Sequence, residues 1–300
     1  MTVNIETWWI NEYTTNIAHL LQRKGGKYRS AVMENTGYRS EGATVVDQIG
    51  AVEMDEVVGR FEAMPRTDAP TDRVWIYPGD HDLSQMCDTF DLLKGALTDV
   101  QSAQTQAAVM AARRKTDNII SDAFFADQKT GKNGGTTVAF DTTNHRVDAA
   151  VGASADTGMN VEKVLRGIRI LEEAEVDLDE EELFIGLTPR QCEDLSRQQQ
   201  VINSDYQRGL GIVLDDRGNL IRFAGATVVK TTRVPSNSSY RLNPLWVKSG
   251  MHLGVWADMS TRVDPRPDIR GVPYQIYCML SMGATRTEPG RVIQIENTEA

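Results

Sequence analysis

The chain has 300 residues, 40 % of them hydrophobic and 25 % charged, which fits a globular protein of one large or two ordinary domains. A formal net charge of −10 argues against gripping nucleic acid through a basic face, but not against surrounding it, because a mildly acidic wall keeps a polyanion from sticking. No apolar run approaches the roughly 18 residues of a membrane span, MTVNIETWWINEY lacks the basic start of a secretory signal, and the three scattered cysteines (Cys87, Cys192, Cys278) form neither a disulfide framework nor a metal-ligand spacing.

In chain order, Ile5, Trp8, Trp9, Tyr13, Ile17, Leu20 and Leu21 recur at three- and four-residue steps and predict a partly helical start. Adjacent Trp8 and Trp9 so near a terminus favour an arm that docks on a partner, the other reading being a helix on the chain's own core. GGKYRSAVMENTGYRSEG reads as an extended connector. In VVGRFEAMPRTDAPTDRVWIYPG, the strand-like runs Val57–Met64 and Arg73–Tyr77 flank a tip stiffened by Pro65 and Pro70, and the first limb begins near Val45. The acidic cluster Glu53, Asp55 and Glu56 lies in that limb. A two-stranded ribbon is marginal alone in water, so something covers it. We read the cover as another copy of the chain.

DTFDLLKG predicts a short helix ended by Gly95, and a long one follows from a cap at Thr98 to the stop at TGKNGG. Its apolar stripe is Val100, Ala103, Ala107, Met110, Ala111, Ile120 and Phe124, over a length on the order of 40 Å. The alanine-rich middle lets another backbone lie close, as a β-ribbon would. Arg113, Arg114 and Lys115 splay over about 200° of this helix. They read as an ordinary charged face or as partners for Glu53, Asp55 or Glu56 of a ribbon lying across it.

Short strands and turns fill VAFDTTNHRVDAAVGASADTG. A second helix runs from Asn160 with Val161, Val164, Leu165, Ile168 and Leu171 on one face. LFIGL is an apolar strand, and Thr188 before Pro189 caps a third helix with proline at its first position. GIVLDDRGNLIRFAGATVVKTTRVP reads as strand, turn, strand and strand, and Trp246 to Ile295 is strand-like around the loop DPRPDIRGVPY.

No pattern in the chain carries catalysis. TGKNGG departs from the phosphate-loop consensus and reads as a turn. Asp80, His81 and Asp82 in GDHDLS alternate faces if they lie in a strand, which disfavours a metal site. There is no serine elbow, the four histidines are scattered, and DLDEEE is a solvated acidic turn rather than a calcium loop. We expect no catalytic residue, cofactor or metal.

The order of parts (arm, ribbon, long helix, compact mixed domain) resembles the major capsid proteins of tailed bacteriophages, the Hong Kong 97 fold family. The resemblance covers nearly the whole chain and rests on VVDQIG at the ribbon's entry, the helix ending in DNIISDAFF, the helix–strand–helix NVEKVLRGIRILEEAEVDLDEEELFIGLTPRQCEDL, and a closing segment with GATR before the last hydrophobic strand. It implies an α+β fold with an N-terminal arm at 1–42, an E-loop hairpin at 43–87, a peripheral P domain with the spine helix at 88–160 and 258–288, and an A domain at 161–257 and 289–300. It further implies hexamers and pentamers that form an icosahedral head around double-stranded DNA. Contacts between subunits are then expected from Glu53, Asp55, Glu56, Phe61, Arg66, Asp68, Arg73 and Trp75 of the hairpin, Arg113 and Arg114 of the spine helix, Trp8 and Trp9 of the arm, and Asp264, Arg266, Asp268 and Arg270 of a P-loop meeting other capsomers.

Two departures sharpen the expectation. Some relatives weld their shells through an E-loop lysine, but no lysine occurs from Gly42 to Leu93. Stability must then come from non-covalent contacts or a decoration protein. The stretch ahead of Val45 is too short for the scaffolding domain that some relatives carry, so a separate scaffolding protein is expected, with a portal and no membrane. The alternatives are an encapsulin-like compartment of the same fold and an unrecognised enzyme.

Overall fold

The computed structural model describes residues 26–50, 52–54, 68–87, 100–198, 201, 211–216 and 218–299. The expected arm helix with Trp8 and Trp9, the run Val57–Met64, the residues Asp55, Glu56, Phe61 and Arg66, and the short helix of DTFDLLKG lie outside the described residues.

The described chain begins with β1 (Met33–Thr36), β2 (Ala43–Ile49), β3 (Thr71–Ile76) and β4 (Gly79–Cys87), followed by helix α1 (Val100–Ala123). Next come β5 (Gln128–Thr130), β6 (Thr136–Val138), β7 (Arg146–Val147), helix α2 (Val161–Glu173), β8 (Leu183–Leu187) and helix α3 (Pro189–Ser196). The remainder is β9 (Val213–Leu214), β10 (Leu220–Phe223), β11 (Ala226–Lys230), β12 (Arg241–Val247), β13 (Met251–Pro265), β14 (Tyr274–Arg286) and β15 (Val292–Asn297). These strands make three sheets, in the orders β1-β13-β14-β4, β2-β3-β5-β6 and β7-β15-β12-β8-β11-β10-β9.

The first sheet is dominated by β13 and β14, antiparallel from Met251 opposite Arg286 to Pro265 opposite Tyr274. Ile276, Cys278, Leu280 and Met282 alternate into the core from β14, and α1 lies over them through Ala108, Ala112, Thr116, Ile120 and Phe124, all buried at four-residue steps. Thus Ile120, Phe124 and Met110 of the expected stripe are buried, but Ala107 and Ala111 are only half-buried and the row beside them faces in. Alanine is short on every side of the helix, so its spacing does not say which alanine faces the sheet. What lies thin and close against the helix is a strand of its own subunit.

Two expected groupings change. Residues 79–87, placed with the ribbon, pair instead with β14 along their whole length, Cys87 opposite Tyr274 and Gly79 opposite Met282. A boundary at 258 falls inside the single 15-residue strand β13. The connector after Gly25 is also less free than expected, since Tyr28 and Ala31 are buried and β1 pairs parallel with β13 from Met33 opposite His252.

The seven-stranded sheet follows its local signals closely. LFIGL is buried at every residue because β8 is central, parallel to β11 and antiparallel to β12. Asn160 caps α2 by accepting from the Lys163 N–H at 2.8 Å. Thr188 and Gln191 form a reciprocal capping box, with Pro189 in the first turn of α3. On α2, Val161, Val164 and Leu171 face the sheet as expected, but Leu165 is exposed. Gly167 faces the sheet so closely that a Cβ there would stand 2.8 Å from Leu245, and Leu165, about 200° round the helix from it, faces outward. Lys163 is fully buried; its Nζ donates to the carbonyls of Thr157, Gly158 and Glu296 and to Asn297 Oδ1 at 2.8–3.1 Å. Burial pulls its pKa down to about 8.

Trp246, on β12, packs into the core beneath α1. Its ring lies 4.6 Å from Phe124, 5.8 Å from Tyr28 and 5.8 Å from Phe184, and its Nε1 donates to the Ala31 carbonyl at 2.8 Å. At the start of β13, His252 is buried with Nε2 3.2 Å from the Tyr38 hydroxyl, and burial holds its pKa down at about 4. The folded protein therefore binds fewer protons here than the unfolded chain, so stability present above about pH 6.5 is lost as pH falls through 4. The expected loss is roughly 3 kcal/mol. Denaturant melts across pH 4–7 should show a slope that His252→Gln flattens; an unchanged slope would assign acid sensitivity to other groups.

Candidate assembly interface

The ribbon is anchored at its base by the residues of VVDQIG. β2 and β3 pair from Ala43 opposite Ile76 to Ile49 opposite Thr71, which sets Asp47 across from Arg73, and the two form an ion pair at 2.5 Å. Gln48 Nε2 donates to the Thr287 carbonyl at 2.7 Å, tying the ribbon to the end of β14. The Gly50 N–H donates to the Pro70 carbonyl at 2.7 Å, and a Cβ on Gly50 would meet the Pro70 ring at 2.6 Å. On the other limb, Trp75 Nε1 donates to the Gly131 carbonyl at 2.7 Å. TGKNGG is thus the turn between β5 and β6, closed by the Gly134 N–H on the Gly131 carbonyl, and it extends the ribbon to four strands.

The GATR residues clamp the same region from below. β14 passes under the corner at Tyr77 so closely that a Cβ on Gly283 would stand 2.2 Å from the Tyr77 carbonyl oxygen. Arg286 is buried, donates from Nη1 to the Phe124 carbonyl at 2.8 Å, and lies 5.0 Å from the Phe140 ring centre. It so satisfies a carbonyl at the C-terminal end of α1. Its Nε and Nη2 make no hydrogen bond among the described residues, and burial pulls the guanidinium down to about 10. Gln128 Nε2 donates to the carbonyls of both Arg286 and Thr287 at 3.0 Å. Ribbon, long helix and long-strand sheet therefore meet at one knot around residues 286–287.

The start of the described chain at Lys27 and Tyr28 is fixed by Asp117, the first of the two aspartates in DNIISDAFF. This carboxylate is fully buried and accepts from the Lys27 N–H at 2.8 and 3.0 Å and the Tyr28 N–H at 3.1 Å. Asp117, Gly283 and Arg286 were not among the expected site residues. The available signals were a carboxylate inside an apolar helix stripe and a glycine inside a strand.

Beyond its base the ribbon turns apolar side chains to solvent: Ile49 is 75 %, Val52 53 % and Met54 101 % exposed. Glu53 and Asp68 are exposed beside them. Arg73 and Trp75 are engaged within their own subunit, as described above. On α1, Arg113 is exposed and Arg114 half-buried, while burial, and after it the charge of Lys115, lowers the pKa of His81. Asp80 and Asp82 are exposed on the other face of β4. Among the described residues no group of three or more His, Cys, Asp or Glu side chains could hold a metal ion. At the far tip of β13–β14, Arg266 grips Asp268 at 2.9 Å and Gln275 at 2.6 Å, and Gln275 Nε2 donates to Ser84 Oγ at 2.6 Å. Asp264 and Arg270 of that loop are exposed.

A ribbon anchored at its root and apolar at its reach, carried on a long helix and two long strands, defines a shell-building subunit of the Hong Kong 97 type. Residues 5–299 match the family model described as phage capsid protein, and the chain belongs to that family. The fold is matched by the capsid of cyanophage Pam1 at 12 % identity, covering 96 % of each chain with a TM-score of 0.73. The capsid of Ralstonia phage GP4 is matched at 10 % identity over 100 % of this chain and 98 % of that one, with a TM-score of 0.71. The capsid of cyanophage P-SCSP1u is matched at 14 % identity over 96 % and 92 %, with a TM-score of 0.68. No curated protein matches the sequence. The chain is a major capsid protein of the phage head shell, a structural component of the virion, and the encapsulin-like alternative is not favoured.

Proposed function

We propose that the subunit closes into hexamers and pentamers, and that its ribbon lies over the neighbouring copy in each ring. The observation that carries this is the set of exposed apolar residues Ile49, Val52 and Met54 on a ribbon whose base is tied down by Gln48 and Trp75. A second copy covering that limb removes the apolar surface from water. Head-to-tail contacts of this kind close rings, and simultaneous modest contacts reinforce one another in a shell.

In this reading Glu53, Asp55, Glu56, Phe61, Arg66 and Asp68 face the neighbour. Arg113 and Arg114 receive the acidic limb, and the arm with Trp8 and Trp9 reaches sideways. The seven-stranded sheet points toward the ring centre, and the loop of Asp264, Arg266, Asp268 and Arg270 meets other rings. The head encloses double-stranded DNA without sequence-specific binding, in keeping with the net charge of −10. A separate scaffolding protein and a portal act in assembly in the host cytoplasm, and a decoration protein can add stability from outside.

Hydrogen exchange tests the ribbon. Amides of residues 49–77 beyond the paired base should exchange fast in free subunits and become protected in shells. Equal protection in both states would remove the neighbour from the account.

A further inference from the structure

Arg286 is 1 % exposed, yet its hydrogen bonding is incomplete. Nη1 donates to the Phe124 carbonyl at 2.8 Å, while Nε and Nη2 are buried and find no acceptor among the described residues. Those two nitrogens share one edge of the guanidinium, the parallel pair of N–H groups that fits a carboxylate. Buried donors without a partner are costly, so an unpaired edge in the interior asks for an acceptor.

The chain holds a carboxylate close by. Asp127 is the group whose charge opposes the effect of burial on Arg286. It is exposed, and its side chain makes no hydrogen bond or ion pair among the described residues. It stands on the short peptide between α1 and β5, three residues past Phe124 and one before Gln128. Both of these touch Arg286 already: the Phe124 carbonyl accepts from Nη1, and Gln128 Nε2 donates to the Arg286 carbonyl at 3.0 Å. A small turn of this peptide carries the free carboxylate toward the unpaired edge.

The same peptide is coupled to the ribbon. β5 pairs with β3, Val74 opposite Thr130 and Trp75 opposite Lys129, in the sheet that continues into β2. Trp75 also holds the Gly131 carbonyl. Load placed on the ribbon therefore reaches Asp127 through β5, while Arg286 stays with β14 in another sheet.

Resting on the reading that the ribbon lies over a neighbouring copy, we infer that Asp127 swings onto the unpaired edge of Arg286 when the ribbon docks. The free subunit holds this latch open, and the docked subunit holds it closed. Docking and pairing then favour each other by the same factor, because coupling between two events is reciprocal.

Asp127→Asn removes the charge and leaves the size of the side chain unchanged. The free subunit should keep the wild-type thermal midpoint, since Asp127 is exposed and unbonded there. The subunit concentration at which particles appear should rise by about tenfold, within the usual range of such coupling. Arg286→Lys keeps a charge but loses the two-pronged edge. Its own loss of stability is read from the free subunit, and adding Asp127→Asn to it should raise the particle threshold no further. Equal thresholds for wild type and Asp127→Asn would overturn the latch and leave the shell reading intact. So would an Asp127→Asn subunit that melts early before assembly, because the pair would then exist in the free chain. A further tenfold rise in the Arg286→Lys background would assign Asp127 to another partner and overturn the latch as well. A wild-type chain that never forms particles would overturn the shell reading, and the latch with it.

Discussion

Gly283→Ala is expected to free the ribbon's corner from the long-strand sheet, lowering stability by roughly 3 kcal/mol, the upper end of the usual cost of an added core methyl group. The methyl carbon would stand 2.2 Å from the Tyr77 carbonyl oxygen and 3.1 Å from its carbon, well inside contact distance. Neither side of this clash is a flexible chain end. β14 is hydrogen-bonded on both edges, to β13 and to β4, and Tyr77 is the first residue of the corner between β3 and β4. Relief requires the corner to lift, which breaks the route by which Gln48 and Trp75 hold the ribbon over the knot at 286–287. The thermal midpoint should drop by about 5 °C or more, and protease should cut the ribbon in the free subunit. Gly135→Ala is the control, because nothing lies within 4 Å of its added carbon. If the two variants melt together, the close crossing at Tyr77 does not carry the ribbon.

That crossing also explains what could be read from the sequence. VVDQIG, DNIISDAFF and GATR carried the resemblance, and each has a mechanical task here: Gln48 ties the ribbon, Asp117 roots the arm, and Gly283 with Arg286 forms the knot. The tasks themselves were not legible. Each joins residues far apart in the chain, Gln48 to Thr287 across 239 positions and Arg286 to Phe124 across 162. Elements set by neighbours along the chain were legible: the helix beginning at Asn160, the Thr188 cap before Pro189, and the strand β8.

Elements set by sheet pairing were not. β1 reads MENT with all four residues exposed, so no alternation marks it, and only pairing with β13 makes it a strand. The stretch 79–87 does alternate, but alternation cannot say which sheet a strand joins, and it was grouped with the ribbon beside it. The bonds that Arg73 and Trp75 make within the subunit were not legible for the same reason. Their partners Asp47 and Gly131 come into reach only through the register of β2 and the turn after β5.

Asp117→Ala is expected to release the root of the N-terminal arm and to lower stability by about 3 kcal/mol. The carboxylate takes two backbone N–H groups in a buried site, and removing it leaves both donors without water or partner, each costing about 1–3 kcal/mol. Small size alone is no substitute, for the fold has already narrowed around the carboxylate: a Cβ on Gly26 would stand 3.2 Å from Asp117 Oδ1. Tyr28 should loosen next, since its ring is held edge-on to Phe124 at 5.5 Å and tilted to Trp246 at 5.8 Å only while its backbone stays pinned. The opening can be timed with trypsin, because Lys27 and Arg29 flank the pinned peptide. A 3 kcal/mol loss confined to this segment corresponds to cleavage about a hundredfold faster, whereas a loss spread over the whole domain lowers the thermal midpoint and leaves cleavage at 27–29 no faster than cleavage elsewhere. Asp117→Asn separates acceptor from charge: it keeps one oxygen but turns an amide N–H toward the same donors, and should fall between wild type and alanine. On the reading proposed above, in which the chain ahead of residue 26 reaches a neighbouring copy, particles from Asp117→Ala should form less efficiently even where the isolated subunit stays folded. Full assembly by a variant cleaved a hundredfold faster at 27–29 would show that assembly does not depend on the anchoring by Asp117.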